Sequence, residues 1–192
     1  MKLSKILSLI KYLVRLPQSY GFGVQSPSAY YFIKYVVNEK TPYYSYESLK
    51  NSFQDVTEKE ENLYRLYFRI TNYISPSIWM DFSCKSEQVG AYIKAASKDV
   101  EFLSSPKLSE IRSFDVARIN VADYDLFTQL IHSLNHNNLI IVEGIYTSQE
   151  MTSFWNKIIE YDKVSVTFDL FDCGLIFFDS RNKAHYKLLL LK

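Results

Sequence analysis

The stretch SIWMDFSCKSEQVGAYIKAA, Ser77 to Ala96, reads as a strand, a turn and a helix. Strand Ile78 to Phe82 leads into helix Glu87 to Ser97. In open α/β sheets this is the turn where glycines let backbone N–H groups approach a ligand at a helix N-terminus. Here Ser83, Cys84, Lys85, Ser86 and Glu87 occupy it, and none of them is glycine.

The chain downstream continues the alternation. Strand Val100 to Leu103 follows, then strand Asp115 to Asn120, helix Tyr124 to Leu134, and Leu139 to Val142, an apolar run of the kind buried on both faces. Helix Ser148 to Ile159 connects to strands Val164 to Leu170, Gly174 to Phe178 and Tyr186 to Leu191. Strands alternating with helices predict a mainly parallel sheet, and the short Asp172-Cys173-Gly174 connection predicts an antiparallel hairpin at its C-terminal end.

Upstream the pattern is helical. Leu3, Ile6, Leu7, Ile10, Leu13 and Val14 recur at helical spacing until Pro17, and Lys2, Lys5, Lys11 and Arg15 stand unopposed by any acid before Glu39. Such a helix packs its apolar face on protein, its own chain or a second copy; a membrane-surface role is the alternative. Ser26-Pro27 predicts a helix start, with the helix running from about Pro27 to Asn38. The polar, tyrosine-rich residues 41 to 60 read as a loop or broken helix, and Glu61 to Tyr73 as a helix closed by Pro76. The chain therefore divides into a helical extension, residues 1–76, and an α/β part, residues 77–192, within one compact unit.

Composition bounds the function. The chain has 192 residues, 47% of them hydrophobic, enough for one substantial core. Lys and Arg total 22 against 21 for Asp and Glu, and a net charge of +1 gives no reason to invoke nucleic acid. No apolar run has the length of a membrane span. Two cysteines, Cys84 and Cys173, do not make a disulfide framework and suit a reduced, cytoplasmic setting.

Three ordered blocks resemble a known family. These are Gly21-Phe22-Gly23-Val24-Gln25-Ser26-Pro27-Ser28, then VEGIYTSQEMTSFW from Val142 to Trp155, then VSVTFDLFDCGLIFF from Val164 to Phe178. Together they resemble bacterial class I S-adenosylmethionine-dependent methyltransferases whose N-terminal extension carries a GFGVHSPF-like signature. Here Gln25 stands where histidine is usual and Ser28 where phenylalanine is usual. The resemblance implies a Rossmann-like methyltransferase sheet with a C-terminal antiparallel hairpin.

It also implies a site. In the family's acidic-x-Gly-x-x-x-Gly turn, Asp81 keeps the acid, Ser83 replaces the first glycine and Glu87 the second. Serine does not take positive φ as freely as glycine, and Glu87 places negative charge where the cofactor carboxylate would use the helix dipole. Read without a ligand, Ser86 is an N-cap and Glu87 a first-turn acid of an ordinary helix. Glu101, in the next strand, is the candidate for the cofactor ribose, with Ser104 at the strand end. The segment from Ser105 to Ser113 is too short for the family's further helix and strand. Glu143 is the candidate on the acceptor side.

Other constellations are weaker. Glu143 with Asp123 or Asn120 is a thin oxygen set, so no metal is expected. His132 and His136 share helical spacing without an H-E-x-x-H motif, and a histidine near a helix C-terminus is favoured by the dipole. Cys84 lacks an evident base, and Asp169 and Asp172 read as hairpin-turn residues. Two functions stay open. One is methyl transfer from S-adenosylmethionine to a small acceptor, with Asp81, Ser83 and Glu101 on the cofactor side; the other is a non-catalytic binding or protein-interaction module, with oligomerisation through the N-terminal helix.

Overall fold

The computed structural model describes residues 12–83, 85–107, 111, 113–120, 122–134 and 138–191. Seven strands form one sheet in the order β2-β1-β3-β4-β6-β5-β7. They are β1 (Ile78–Asp81), β2 (Glu101–Ser104), β3 (Val116–Ile119), β4 (Leu139–Glu143), β5 (Val166–Asp169), β6 (Cys173–Phe177) and β7 (Ala184–Lys187). Pairing is parallel throughout except at β6, which runs antiparallel to β4 and β5. This is the Rossmann-like methyltransferase fold expected from the strand and helix alternation, including the C-terminal hairpin. The hairpin is not the edge of the sheet, because β7 adds a parallel strand beyond β5.

Side chains alternate across each strand, and the alternation builds two cores. Trp79, Val116, Leu139 and Ile141 face one layer, made by α2 (Pro27–Phe32), α4 (Glu58–Ile74) and α5 (Ser86–Ala96). Met80, Ala117, Ile119, Ile140 and Val142 face the other, made by α6 (Tyr124–His132) and α7 (Gln149–Ile158). Strand β4 is buried through Val142, as its unbroken apolar run predicts.

The N-terminal helix, α1, covers residues 12–19, and most of its predicted stripe lies outside the described residues. Of the described part, Leu13 and Val14 are exposed while Arg15 and Ser19 are buried. Arg15 is therefore not unopposed: it pairs with Asp169, a partner 154 positions away that helical periodicity cannot reveal.

After α2 the chain passes into a π-helical turn, Ile33–Val37, where Asn38 N–H donates to the Ile33 carbonyl. Helix α3 (Tyr44–Ser52) lies in the segment read as a loop or broken helix. Helix α4 starts earlier than its apolar periodicity indicates, because Thr57 and Glu60 form a reciprocal capping box. It ends at Ser75, which adopts a left-handed conformation just before Pro76. Between β2 and β3 the described residues contain neither helix nor strand, so β2 is left as a sheet edge.

The second and third sequence blocks meet face to face. A Cβ at Gly174, in β6, would lie 2.3 Å from the ring of Trp155, which is buried on α7. No side chain fits there without moving a packed indole. Gly174→Ala is expected to destabilise by about 1–3 kcal/mol, the ordinary range for overpacking a dense core. Urea denaturation would check this, with the companion Trp155→Leu/Gly174→Ala variant recovering part of the loss. The first block has the same structural character: Gly21 takes φ +87° against the Tyr30 ring, and the Ser26 hydroxyl caps α2.

Candidate functional site

Trp79 and Asp81 of β1, Val116 and Arg118 of β3, and Leu139, Ile141 and Glu143 of β4 share the α4 face, and the last of each set is ionisable. Asp81 ends β1, Glu143 ends β4, and Arg118 lies between them on β3, in register with Asp81. Arg118 Nε donates to Asp81 Oδ1 at 2.9 Å and Nη2 to Oδ2 at 2.8 Å, a two-pronged pair. Arg118 Nη1 donates to Glu143 Oε1 at 2.8 Å. The Tyr67 hydroxyl, reaching down from α4, also donates to Glu143, and the guanidinium lies 5.7 Å from the Tyr67 ring centre.

The Asp81–Arg118 centre of the cluster is closed to water, while Glu143 is 18% exposed. Arg118 and Asp81 are 1% and 0% exposed, so their charges depend on each other for solvation. Burial alone would push the Arg118 guanidinium down, but Glu143 and Asp81 outweigh it and raise its pKa above the ordinary arginine value. Burial first, then the charge of Glu143, holds the Tyr67 hydroxyl well above the usual tyrosine range. Cys173, register partner of Glu143, is buried too, and burial with the same carboxylate raises its thiol, which disfavours the thiolate.

The β1–α5 turn has its own solution to the absence of glycine. Ser83 N–H donates to Asp81 Oδ1 at 3.1 Å, and Ser83 itself is buried. Among the described residues of the turn the left-handed one is Lys85, at φ 59°, which occupies the N-cap of α5. This corrects the reading of Ser86 as the cap: Ser86 has already entered the helix, and its hydroxyl donates back to the Ser83 carbonyl at 3.0 Å. The left-handed region is the one glycine takes without strain, and here a lysine takes it. Lys85 Nζ pairs with Glu60 at 2.6 Å, and Lys59 with Asp172 at 2.7 Å, so the first turn of α4 is tied both to this turn and to the β5–β6 turn.

A second buried cluster lies nearby on the opposite face of the sheet. Arg15 Nη1 and Nη2 donate to Asp169 Oδ1 at 2.6 Å and Oδ2 at 2.8 Å. The Tyr146 hydroxyl donates to Asp169 Oδ2 at 2.5 Å, and burial, then Asp169, push its pKa up to about 12. Asp169 also accepts from Phe171 N–H at 3.0 Å, which is the turn role read from the sequence. Beside it a cavity of about 840 Å3 is lined by Val14, Phe22, Tyr146, Phe171 and Lys187 among others.

The structure thus brings Asp81, Ser83 and Glu143 together and adds Arg118 and Tyr67, which sequence reasoning did not select. Glu101 is elsewhere. It opens β2, paired with Ile78 and exposed, one strand length from Asp81, while Ser104 stands opposite Asp81. Glu87 is exposed in the first turn of α5. Asp123 caps α6, accepting from Leu126 N–H at 2.9 Å. His132 ends α6 exposed; His136 and Cys84 lie outside the described residues. Among the described residues no group of three or more His, Cys, Asp or Glu side chains is placed to hold a metal. No described helix is long and apolar enough to cross a membrane.

No family model matches the sequence, and no curated protein does. Solved structures do share the fold. A methyltransferase of Podospora anserina, solved with S-adenosylhomocysteine bound, superposes with a TM-score of 0.54 at 11% identity, over 82% of this chain and 94% of its own. A methyltransferase of Geobacter sulfurreducens gives 0.53 at 11% identity, over 71% of this chain and 87% of its own. The scaffold is that of S-adenosylmethionine-dependent methyltransferases; at this identity the likeness speaks for the fold.

Proposed function

We propose that this chain is a non-catalytic binding or interaction module on a methyltransferase fold, with the ancestral cofactor position closed. The single observation that carries the reading is the Arg118 bridge. In the resemblance, Asp81 is the acid that serves the cofactor; here both of its oxygens are held by a buried guanidinium. Glu143, the acceptor-side candidate, is held by the same guanidinium and by Tyr67. The residues present do not fit S-adenosylmethionine: releasing Asp81 from Arg118 would leave a fully buried carboxylate without its cation. A protein partner has an apolar surface to meet at the exposed Leu13, Val14 and Phe22.

One observation favours the other reading, methyl transfer to a small acceptor. The Ser83 Oγ is buried with no hydrogen-bond partner, as an atom waiting for a ligand would be. Thermal melting separates the two. With about 1 mM S-adenosylmethionine, a site of about 10 μM affinity would stabilise by about 2.7 kcal/mol and raise the melting temperature by roughly 5–10 °C. The expected result is no rise. A rise of that size would restore the methyltransferase reading.

A further inference from the structure

A cavity of about 650 Å3 opens between α3, α4 and the chain end at Leu190 and Leu191, sharing no lining residue with the Arg118 cluster. Its wall carries four cations, Lys40, Lys50, Arg65 and Arg69, against two acids, Glu39 and Glu47. Glu39 accepts a hydrogen bond from the Tyr43 hydroxyl at 2.9 Å. The excess positive charge sits inside a concave site.

Arg69 is the informative residue. It is 8% exposed, and its Nε and Nη2 donate to the carbonyls of Val36 and Val37 at 2.6 and 2.9 Å, at the end of the π-helical turn. A neutral donor would satisfy those carbonyls without desolvating a charge. Yet the site keeps a guanidinium, and among the described residues no carboxylate forms an ion pair with it. One turn earlier on α4, Arg65 lies 4.9 Å from the Tyr46 ring centre, and its Nε is buried without a hydrogen-bond partner. Its one carboxylate, Glu61, is divided between Arg65 at 2.5 Å and Lys50 at 3.3 Å. Two adjacent guanidiniums and two lysines therefore share less negative charge than they carry.

We propose that this cavity binds the dianionic phosphate group of a small phosphate ester. Arg65 acts as the donor, with Arg69, Lys40 and Lys50 supplying charge at the wall. Arg69 is held with Nε and Nη2 on the Val36 and Val37 carbonyls, and its charge adds to that of Arg65 and the lysines, which suits a dianion better than a single carboxylate. The ester body lies on Tyr44, whose ring is fully exposed, and on Leu190. The volume is within the range of small-molecule sites. This assignment stands whether or not the Arg118 cleft admits a cofactor.

Calorimetry on the full chain tests it with two probes, inorganic phosphate and phenyl phosphate. Phenyl phosphate is expected to bind with a dissociation constant at or below about 1 mM, and Arg65→Gln to weaken it at least tenfold. Arg65→Gln leaves Arg69 and its carbonyl bonds in place, and an unchanged circular dichroism spectrum would show that the fold is kept. Tyr44→Ala is expected to weaken phenyl phosphate and leave inorganic phosphate unchanged, which identifies an ester. Equal affinity for both probes would assign the site to free phosphate, with the same chemistry. Absence of binding by both, or affinity that Arg65→Gln does not change, would overturn the proposal.

Discussion

Arg118→Met is expected to cost about 3–5 kcal/mol of stability, lowering the melting temperature by roughly 10 °C or more. The substitution preserves much of the side-chain volume and removes the charge. Among the described residues, Asp81 is then left 0% exposed with the Ser83 N–H as donor to its side chain, and Glu143 with the Tyr67 hydroxyl. The loss has a pH signature with a definite sign. An unpaired buried carboxylate has its folded pKa raised, so the variant's stability is favoured below the unfolded carboxylate pKa and lost as pH rises. The deficit relative to wild type should therefore narrow toward about pH 4. The Asp81→Asn/Arg118→Gln pair should recover a large part of it at neutral pH, because the fully buried carboxylate is then gone and Glu143, 18% exposed, keeps Tyr67 and solvent. Denaturant melts at two pH values read both effects, and a deficit that is small and pH-independent would mean that the bridge contributes little.

Arg15→Met is expected to cost about 3 kcal/mol, near the lower end of the range for breaking a buried pair, because Asp169 keeps the Tyr146 hydroxyl and the Phe171 N–H. The consequence is local as well as global. Arg15 Nη1 also donates to the Leu188 carbonyl, and the Ser19 hydroxyl accepts from Leu189 N–H, so the first helix is clamped to the last segment of the chain. Limited proteolysis of Arg15→Met should cut within residues 12–22 at protease concentrations that leave the wild type intact. Equal resistance of the two proteins would show that the helix is held by something other than this pair.

Both effects rest on arginines that the sequence presents in unequal ways. The sheet was legible because apolar runs such as Leu139–Val142 and the Asp172-Cys173-Gly174 turn carry local information. The helix starts were legible in principle as well: Thr57 and Glu60 have capping-box spacing, although apolar periodicity alone places the start of α4 at Glu61. Arg118 left one signal, a lone cation inside a strand flanked by Val116, Ala117 and Ile119. A charge at a position buried on both faces demands an opposite charge nearby, and Asp81 ends the neighbouring strand.

What the sequence withheld was pairing over distance. Strand order decides that β3 lies beside β1, so Arg118 meets Asp81; helix docking decides that Arg15 meets Asp169. The same holds for the turn. Ser83 stands at a glycine position, but among the described residues of the turn the left-handed one is Lys85, whose ammonium pairs with Glu60 of α4. Glu101 is an acid in the strand beside Asp81, and the register, which local pattern does not carry, puts it opposite Ile78 while Ser104 stands opposite Asp81.

The central claim is that the Arg118 bridge closes the cofactor position, and a calorimetric titration of the wild-type chain with S-adenosylhomocysteine tests it most directly. The account predicts no saturable heat up to about 1 mM ligand, an affinity weaker than about −4 kcal/mol. Saturable one-to-one binding in the micromolar range would contradict it.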